Sequence, residues 1–123
     1  MFILFAAGHT FGFLSFRPPN IEGRAVWDAM NHVRFTVRGS TFSYGGFHTG
    51  FGLSISLTML FEAFLAWHLS LHPQRALGWA FCALQGVNIP LSLICFATTP
   101  AIFTGVAAVL LGRAAVAMPA RRA

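Results

Sequence analysis

Four long apolar runs constrain this chain more than any other feature of its sequence. They cover about residues 1–16, 47–71, 76–97 and 100–118. The second run contains one formally charged residue, Glu62, and the third contains none. Because about 20 apolar helical residues cross the hydrocarbon core of a bilayer, the last three runs predict membrane-spanning helices. The first run is about one turn too short, so we expect the natural chain to begin upstream of Met1.

The composition agrees with lipid as the surrounding medium. Hydrophobic residues make up 56% of the 123 residues and charged residues 9%, whereas a soluble domain has roughly 25% charged residues. The net charge is +5, and all 8 basic residues are Arg. They fall mostly at the ends of apolar runs, where they anchor to headgroups. We therefore expect membrane lipids as partners and no nucleic acid. The Arg residues divide equally between the two predicted membrane faces and do not orient the chain.

The only long polar stretch separates the first and second apolar runs. Within it Val26, Met30, Val33 and Val37 recur at helical spacing, with charged residues between them. This pattern predicts an amphipathic helix over about 22–38 that ends at Gly39. The helix either lies along the membrane surface or docks on the ends of the membrane helices.

The remaining connections are two or three residues long, so consecutive helices are expected to be antiparallel. The predicted fold class is therefore all-α: a polytopic membrane four-helix bundle with one amphipathic interfacial helix in the first loop. Residues 1–123 are expected to form a single integral membrane domain.

Five short strings in the chain carry a resemblance to a known family. They are Gly8-His9-Thr10-Phe11-Gly12, Phe16-Arg17-Pro18-Pro19, Val26-Trp27-Asp28-Ala29-Met30, Gly50-Phe51-Gly52-Leu53 and the segment Leu60 to Leu69. Together they resemble a family of small bacterial integral membrane proteins of uncharacterised function. The resemblance implies a four-helix, multi-pass protein of the bacterial inner (cytoplasmic) membrane and implies no activity. Members of that family carry more residues before the first string, which matches the short first run.

Polar residues at membrane depth are the best candidates for a functional site, because burying them in hydrocarbon is costly. Counting about 1.5 Å per residue from the helix ends places four of them near the midplane and a fifth near the first-loop face. The four are His9, Glu62, Gln85 and Asn88, and the fifth is His48. They predict a ligand, cofactor or proton site. The alternative is hydrogen bonding between helices.

Helical spacing also predicts which side chains share faces. One face of the second helix carries His48, Ile55, Thr58 and Glu62, and one face of the third carries Gln85, Asn88 and Ser92. If both faces and His9 point into the bundle, they form one polar cluster. Arg113 either pairs with Glu62 or extends to the headgroups. No zinc, iron–sulfur or haem-attachment spacing is present, so no metal site is predicted.

Small residues predict where helices approach closely. Gly8 and Gly12, and Gly46 and Gly50, form two Gly-x-x-x-Gly pairs near the first-loop ends of consecutive helices. They predict the contact between the first two helices. The alternative is room for a flat ligand against bare backbone. Gly105, Ala108 and Gly112 form a third set of small residues for packing of the last helix.

Three classes of function fit these features. The favoured one is a non-enzymatic accessory subunit that packs against larger membrane-protein subunits and contacts their lipid, quinone or pigment. The second is a small-molecule or cofactor-binding protein in which His9 ligates a haem or another tetrapyrrole. The third is a membrane-embedded lipid-modifying enzyme with Glu62 as general acid/base and His9 or His48 as its partner.

Overall fold

The computed structural model describes residues 1–96 and 98–118. That part of the chain contains five helices and two strands. They are α1 (Phe2–Ser15), α2 (Ile21–His32), β1 (Arg34–Val37), β2 (Ser40–Ser43), α3 (Tyr44–Leu71), α4 (Arg75–Cys95) and α5 (Thr98–Ala117). The chain divides into two compact units. The first is Phe2–Glu62, and the second consists of Met1 and the residues from Ala63 onward.

Three helices, α3, α4 and α5, are long and apolar enough to cross a membrane. Only 17% to 22% of their most apolar 18-residue stretches is buried within the protein. Large apolar side chains such as Leu57, Val87 and Val109 therefore lie on the outer surface of their helices. A helix that is apolar on every side is suited to an apolar medium, so these three helices could span a membrane. α1 is also apolar but has only 14 residues.

In the first unit, α1 packs antiparallel to the first part of α3. Contacts run in opposite directions along the two helices: His9 meets Ser56, while Phe13 meets Gly52 and His48. Gly52 is required at its position, because a Cβ there would lie 2.6 Å from Cε2 of Phe13 and nearer still to two other ring atoms. This glycine lets the Phe13 ring lie directly on the α3 backbone.

In the polar stretch before α3, the helix is shorter than the sequence predicts. α2 begins after Asn20, whose side chain accepts a hydrogen bond from the Gly23 N–H at 2.9 Å, a standard N-cap. The helix ends at His32. The predicted helix over 22–38 is therefore wrong beyond this residue, although the described chain is mostly helical, as its sequence predicts.

Residues 34–43 form an antiparallel hairpin instead. Phe35 pairs with Phe42 and Thr36 with Thr41. Such aromatic and β-branched residues favour strands. Arg38 and Gly39 make the two-residue turn with φ of 49° and 85°, as a type I′ hairpin turn requires. Gly39 thus closes a hairpin and does not end a helix.

Gly39→Val should destabilise this hairpin by about 1–2 kcal/mol, because a β-branched residue disfavours positive φ. The opened hairpin would then be populated roughly 5–30-fold more. Tryptic cleavage after Arg38 in detergent-solubilised protein measures this opening. Ser40→Val is the control, since Ser40 lies in a strand. Equal cleavage rates for both variants would contradict the turn.

In the second unit, α4 packs against α5 through small residues. The Cys82 thiol donates a hydrogen bond to the Ala108 carbonyl oxygen at 3.2 Å. A Cβ on Gly112 would lie 3.3 Å from Cys82 Sγ, and one on Gly78 would lie 3.2 Å from the Ala115 Cβ. The packing role predicted for Ala108 and Gly112 is therefore confirmed.

Candidate functional site

The first unit brings polar side chains of α1 and α3 into contact at one point. His9 Nδ1 lies 3.1 Å from Ser56 Oγ, and the Thr10 hydroxyl lies 2.8 Å from the same oxygen. Ser56 is buried, while His9 and Thr10 are half-buried. Ser56 is therefore the centre of a three-residue polar cluster inside an otherwise apolar helix pair.

Each hydroxyl proton of this cluster has more than one possible acceptor. The Thr10 hydroxyl lies 2.8 Å from both the Ala6 carbonyl oxygen and Ser56 Oγ, and the Ser56 hydroxyl lies 3.4 Å from the Gly52 carbonyl oxygen. Each hydroxyl has a single proton. When Ser56 donates to His9 Nδ1, the ring proton sits on Nε2; when Ser56 donates to Gly52, His9 Nδ1 donates to Ser56. Both arrangements engage Nδ1 of His9, and Nε2 has no hydrogen-bond partner among the described residues.

An aromatic stack joins His9 to His48. The Phe13 ring lies between the two imidazoles, with centroids 5.9 Å from His9 and 5.1 Å from His48. The interplanar angles are 6° and 12°. Trp27 of α2 then meets His48 edge-on at 6.0 Å, and Phe16 meets Trp27 at 6.1 Å. Two predicted site residues are thus connected, although through a phenylalanine and not directly.

Four residues of this site are absent from the sequence-based prediction: Thr10, Phe13, Ser56 and Trp27. The hydroxyls gave a weak signal, since Thr10 and Ser56 sit in apolar runs where polar groups are costly. No sequence signal paired Phe13 with His48, because the contact depends on which face of α1 meets α3.

The face of α3 that carries His48, Ile55, Thr58 and Glu62 is mostly exposed. Thr58 is exposed and its hydroxyl donates to the Ser54 carbonyl of its own helix at 2.9 Å. His48 and Ile55 are also exposed. In this part of α3 the buried side chains are Ser56 and Glu62, the latter 9% exposed.

On α4, Gln85 is the most buried of the predicted site residues, at 2% exposure. Its Nε2 is enclosed and has no hydrogen-bond partner in the described part of the chain. Ser92 is also buried, and Asn88 is half-buried. The predicted shared face of α4 is therefore present. Arg113 on α5 is exposed.

The first two glycine pairs do not form the predicted contact between helices. Among the described residues, a Cβ on Gly8, Gly12 or Gly50 would have no neighbouring atom within 4 Å, and one on Gly46 would meet Ser43 Oγ alone. Gly52 makes the close approach instead. Gly8 and Gly12 therefore present bare backbone on the outside of α1.

No group of three or more His, Cys, Asp or Glu side chains that could hold a metal ion is found within residues 1–96 and 98–118. No protein-family model, curated protein or solved structure matches this chain. A role for the protein is therefore argued from the geometry of its own residues. The features that bear on it are the His9–Ser56–Thr10 cluster, the buried Gln85 amide and the open glycine pair.

Proposed function

We propose that this protein is a multi-pass accessory subunit of the bacterial inner membrane that packs against a larger membrane-protein complex. In this proposal its four apolar helices form a bundle, α2 lies on the membrane surface, and the protein contacts lipid, quinone or pigment of the complex. The observation that carries the proposal is the open pair Gly8 and Gly12 on α1.

Glycines one helical turn apart allow two membrane helices to approach closely. Gly8 and Gly12 have this spacing, and α3 does not occupy them. His9, Thr10 and Phe13 contact α3. The mean direction of these three side chains lies about 130° around the helix from that of the two glycines. In this proposal the glycine face receives a helix from another chain.

Gly8→Leu/Gly12→Leu is expected to abolish this association while leaving the fold intact. A Cβ at either position would have no neighbour within 4 Å among the described residues, and leucine favours helix more than glycine by roughly 0.5–1 kcal/mol. A photo-crosslinking residue at Leu4, which is 76% exposed and one turn before Gly8, reports the neighbour in native membranes. We expect a discrete adduct with a larger membrane protein that falls at least about tenfold in the double variant.

Gly50→Leu is the matched control, because Gly50 is also open but lies on α3. It should leave the adduct unchanged. Crosslinks to lipid alone, to a second copy of this chain, or to the same partner in equal yield from the double variant would contradict the accessory role of this face.

A second candidate function is cofactor binding through His9. The Ser56 hydroxyl holds Nδ1 at 3.1 Å, and a hydrogen bond to one ring nitrogen commonly orients an imidazole whose other nitrogen binds a metal. Nε2 would be the ligand to a tetrapyrrole metal.

A bound tetrapyrrole would give the purified protein a visible absorption band. The band should disappear in His9→Ala, shift in Ser56→Ala and persist in His48→Ala, because the Ser56 hydroxyl bonds to the imidazole of His9 and not to that of His48. A colourless protein, or a band that survives His9→Ala, would exclude this candidate.

A further inference from the structure

A cavity of about 650 Å³ opens between the end of α1 and the exposed face of α2. Its lining residues are Arg17, Pro18, Arg24, Trp27 and Asp28. We propose that it binds the headgroup of an aminophospholipid, with the phosphate on the two arginines and the primary ammonium on Asp28 and Trp27. The inference concerns lipid recognition and does not depend on the accessory role.

Both guanidinium groups are held in place and retain free donors. Arg17 Nη1 donates to the carbonyl oxygens of Leu14 at 3.4 Å and Phe16 at 2.8 Å, and Arg24 Nε donates to that of Pro18 at 3.3 Å. A guanidinium has five N–H donors. The remaining ones are free to bind phosphate oxygens, which arginine recognises well.

The other wall of the cavity suits a cation. Asp28 lies one turn after Arg24 on the same face of α2, yet no salt bridge joins the Asp28 carboxylate to Arg17 or Arg24 in the described residues. Trp27 is half-buried, fixed edge-on against Phe16 and His48. A carboxylate beside an indole attracts an ammonium group by charge and by cation–π contact.

The chemistry recognised is thus a phosphate and a primary ammonium in one small molecule, as in phosphoethanolamine. A trimethylated ammonium has no N–H to donate to Asp28, and a glycerol headgroup has no positive charge. These differences favour ethanolamine over choline and glycerol headgroups.

The position of the cavity favours a lipid over a soluble phosphate ester. Arg17 follows the end of apolar α1 by two residues. A second cavity, about 480 Å³ and mostly apolar, runs along α1 from Ile3 to Ser15 and includes Leu60 of α3. Its walls suit an acyl chain, and it ends two residues before Arg17.

The test follows Trp27 fluorescence in a Trp67→Phe/Trp79→Phe background, which leaves Trp27 as the single reporter. The protein is reconstituted in phosphatidylcholine nanodiscs and titrated with dihexanoyl lipids that carry ethanolamine, choline or glycerol headgroups. Soluble glycerophosphoethanolamine and inorganic phosphate are titrated in parallel. We expect a saturable change with the ethanolamine lipid at a concentration about tenfold lower than with any other ligand.

Substitutions separate the two halves of the site. Asp28→Asn should remove the preference for ethanolamine over choline, whereas Arg17→Gln should weaken both lipids alike. Glu22→Gln is the control, since Glu22 is exposed on α2 and does not line the cavity. Equal responses to all headgroups, a response to phosphate alone as strong as to the lipid, or an unchanged preference in Asp28→Asn would overturn the proposal. Circular dichroism verifies that each variant is folded.

Discussion

Gly52→Leu is expected to separate α1 from the first part of α3 and to lower the free energy of unfolding by about 3 kcal/mol, the upper part of the range for overpacking. The new side chain would occupy the space of the Phe13 ring, which lies on the Gly52 backbone. Moving that ring also removes its stack on His48 and the hydrogen bond of His9 to Ser56. Reversible unfolding in mild detergent measures the loss.

Gly50→Leu provides a close control for this prediction. Gly50 is two residues away on the same helix, and a Cβ there meets no atom within 4 Å in the part of the chain that the structure describes. It should therefore change stability by less than about 0.5 kcal/mol. In Phe13→Ala/Gly52→Leu the smaller residue at 13 should recover part of the loss, which a double-mutant cycle detects. Equal stabilities for Gly50→Leu and Gly52→Leu would show that α1 does not pack on α3 at this point.

Gln85→Met is expected to stabilise the protein by about 1–3 kcal/mol. The Gln85 side chain is 2% exposed, and its Nε2 donors have no partner in the described chain. An unsatisfied buried donor costs about this much free energy. Methionine has a similar volume and no donor, so the substitution removes the cost without opening a cavity.

Gln85→Asn tests the same site with a substitution of the opposite expected effect. The shorter amide keeps the donors and leaves a void, so it should lower the free energy of unfolding. If Gln85→Met instead lowers the stability of the protein in native membranes, the amide has an acceptor there. That acceptor would be a ligand or a neighbouring chain, as the sequence-based proposal of a binding site at Gln85 requires.

The apolar runs predicted the membrane helices well, because run length alone determines whether a helix can cross a bilayer. The predicted segments 47–71, 76–97 and 100–118 correspond to α3, α4 and α5. The hairpin was missed because Val26, Met30, Val33 and Val37 fit a helical period, while the alternation of Phe35 and Val37 within β1 is only four residues long. The Arg38-Gly39 turn is also a weak signal without Asn or Asp at its first position.

Helix faces were harder to predict than helix positions. A membrane helix is apolar all round, so hydrophobic periodicity does not show which side packs inward. The glycine pair at 8 and 12 was therefore assigned to the α3 contact, which Gly52 and Phe13 make instead. His9 was identified from its depth, but its partner Ser56 was not. Packing of the last helix through its small residues was predicted from their regular spacing. The short connection between the last two helices predicted that they are neighbours.

The central claim is that hydrocarbon surrounds α3, α4 and α5. Spin labels at the exposed midpoints of these helices, Leu57, Val87 and Val109, test it in reconstituted vesicles, with a label at Ser40 in the hairpin as the water-exposed reference. The account predicts that the three labels collide often with oxygen and rarely with a water-soluble nickel chelate. Frequent collisions of these three labels with the chelate, equal to those at Ser40, would contradict it.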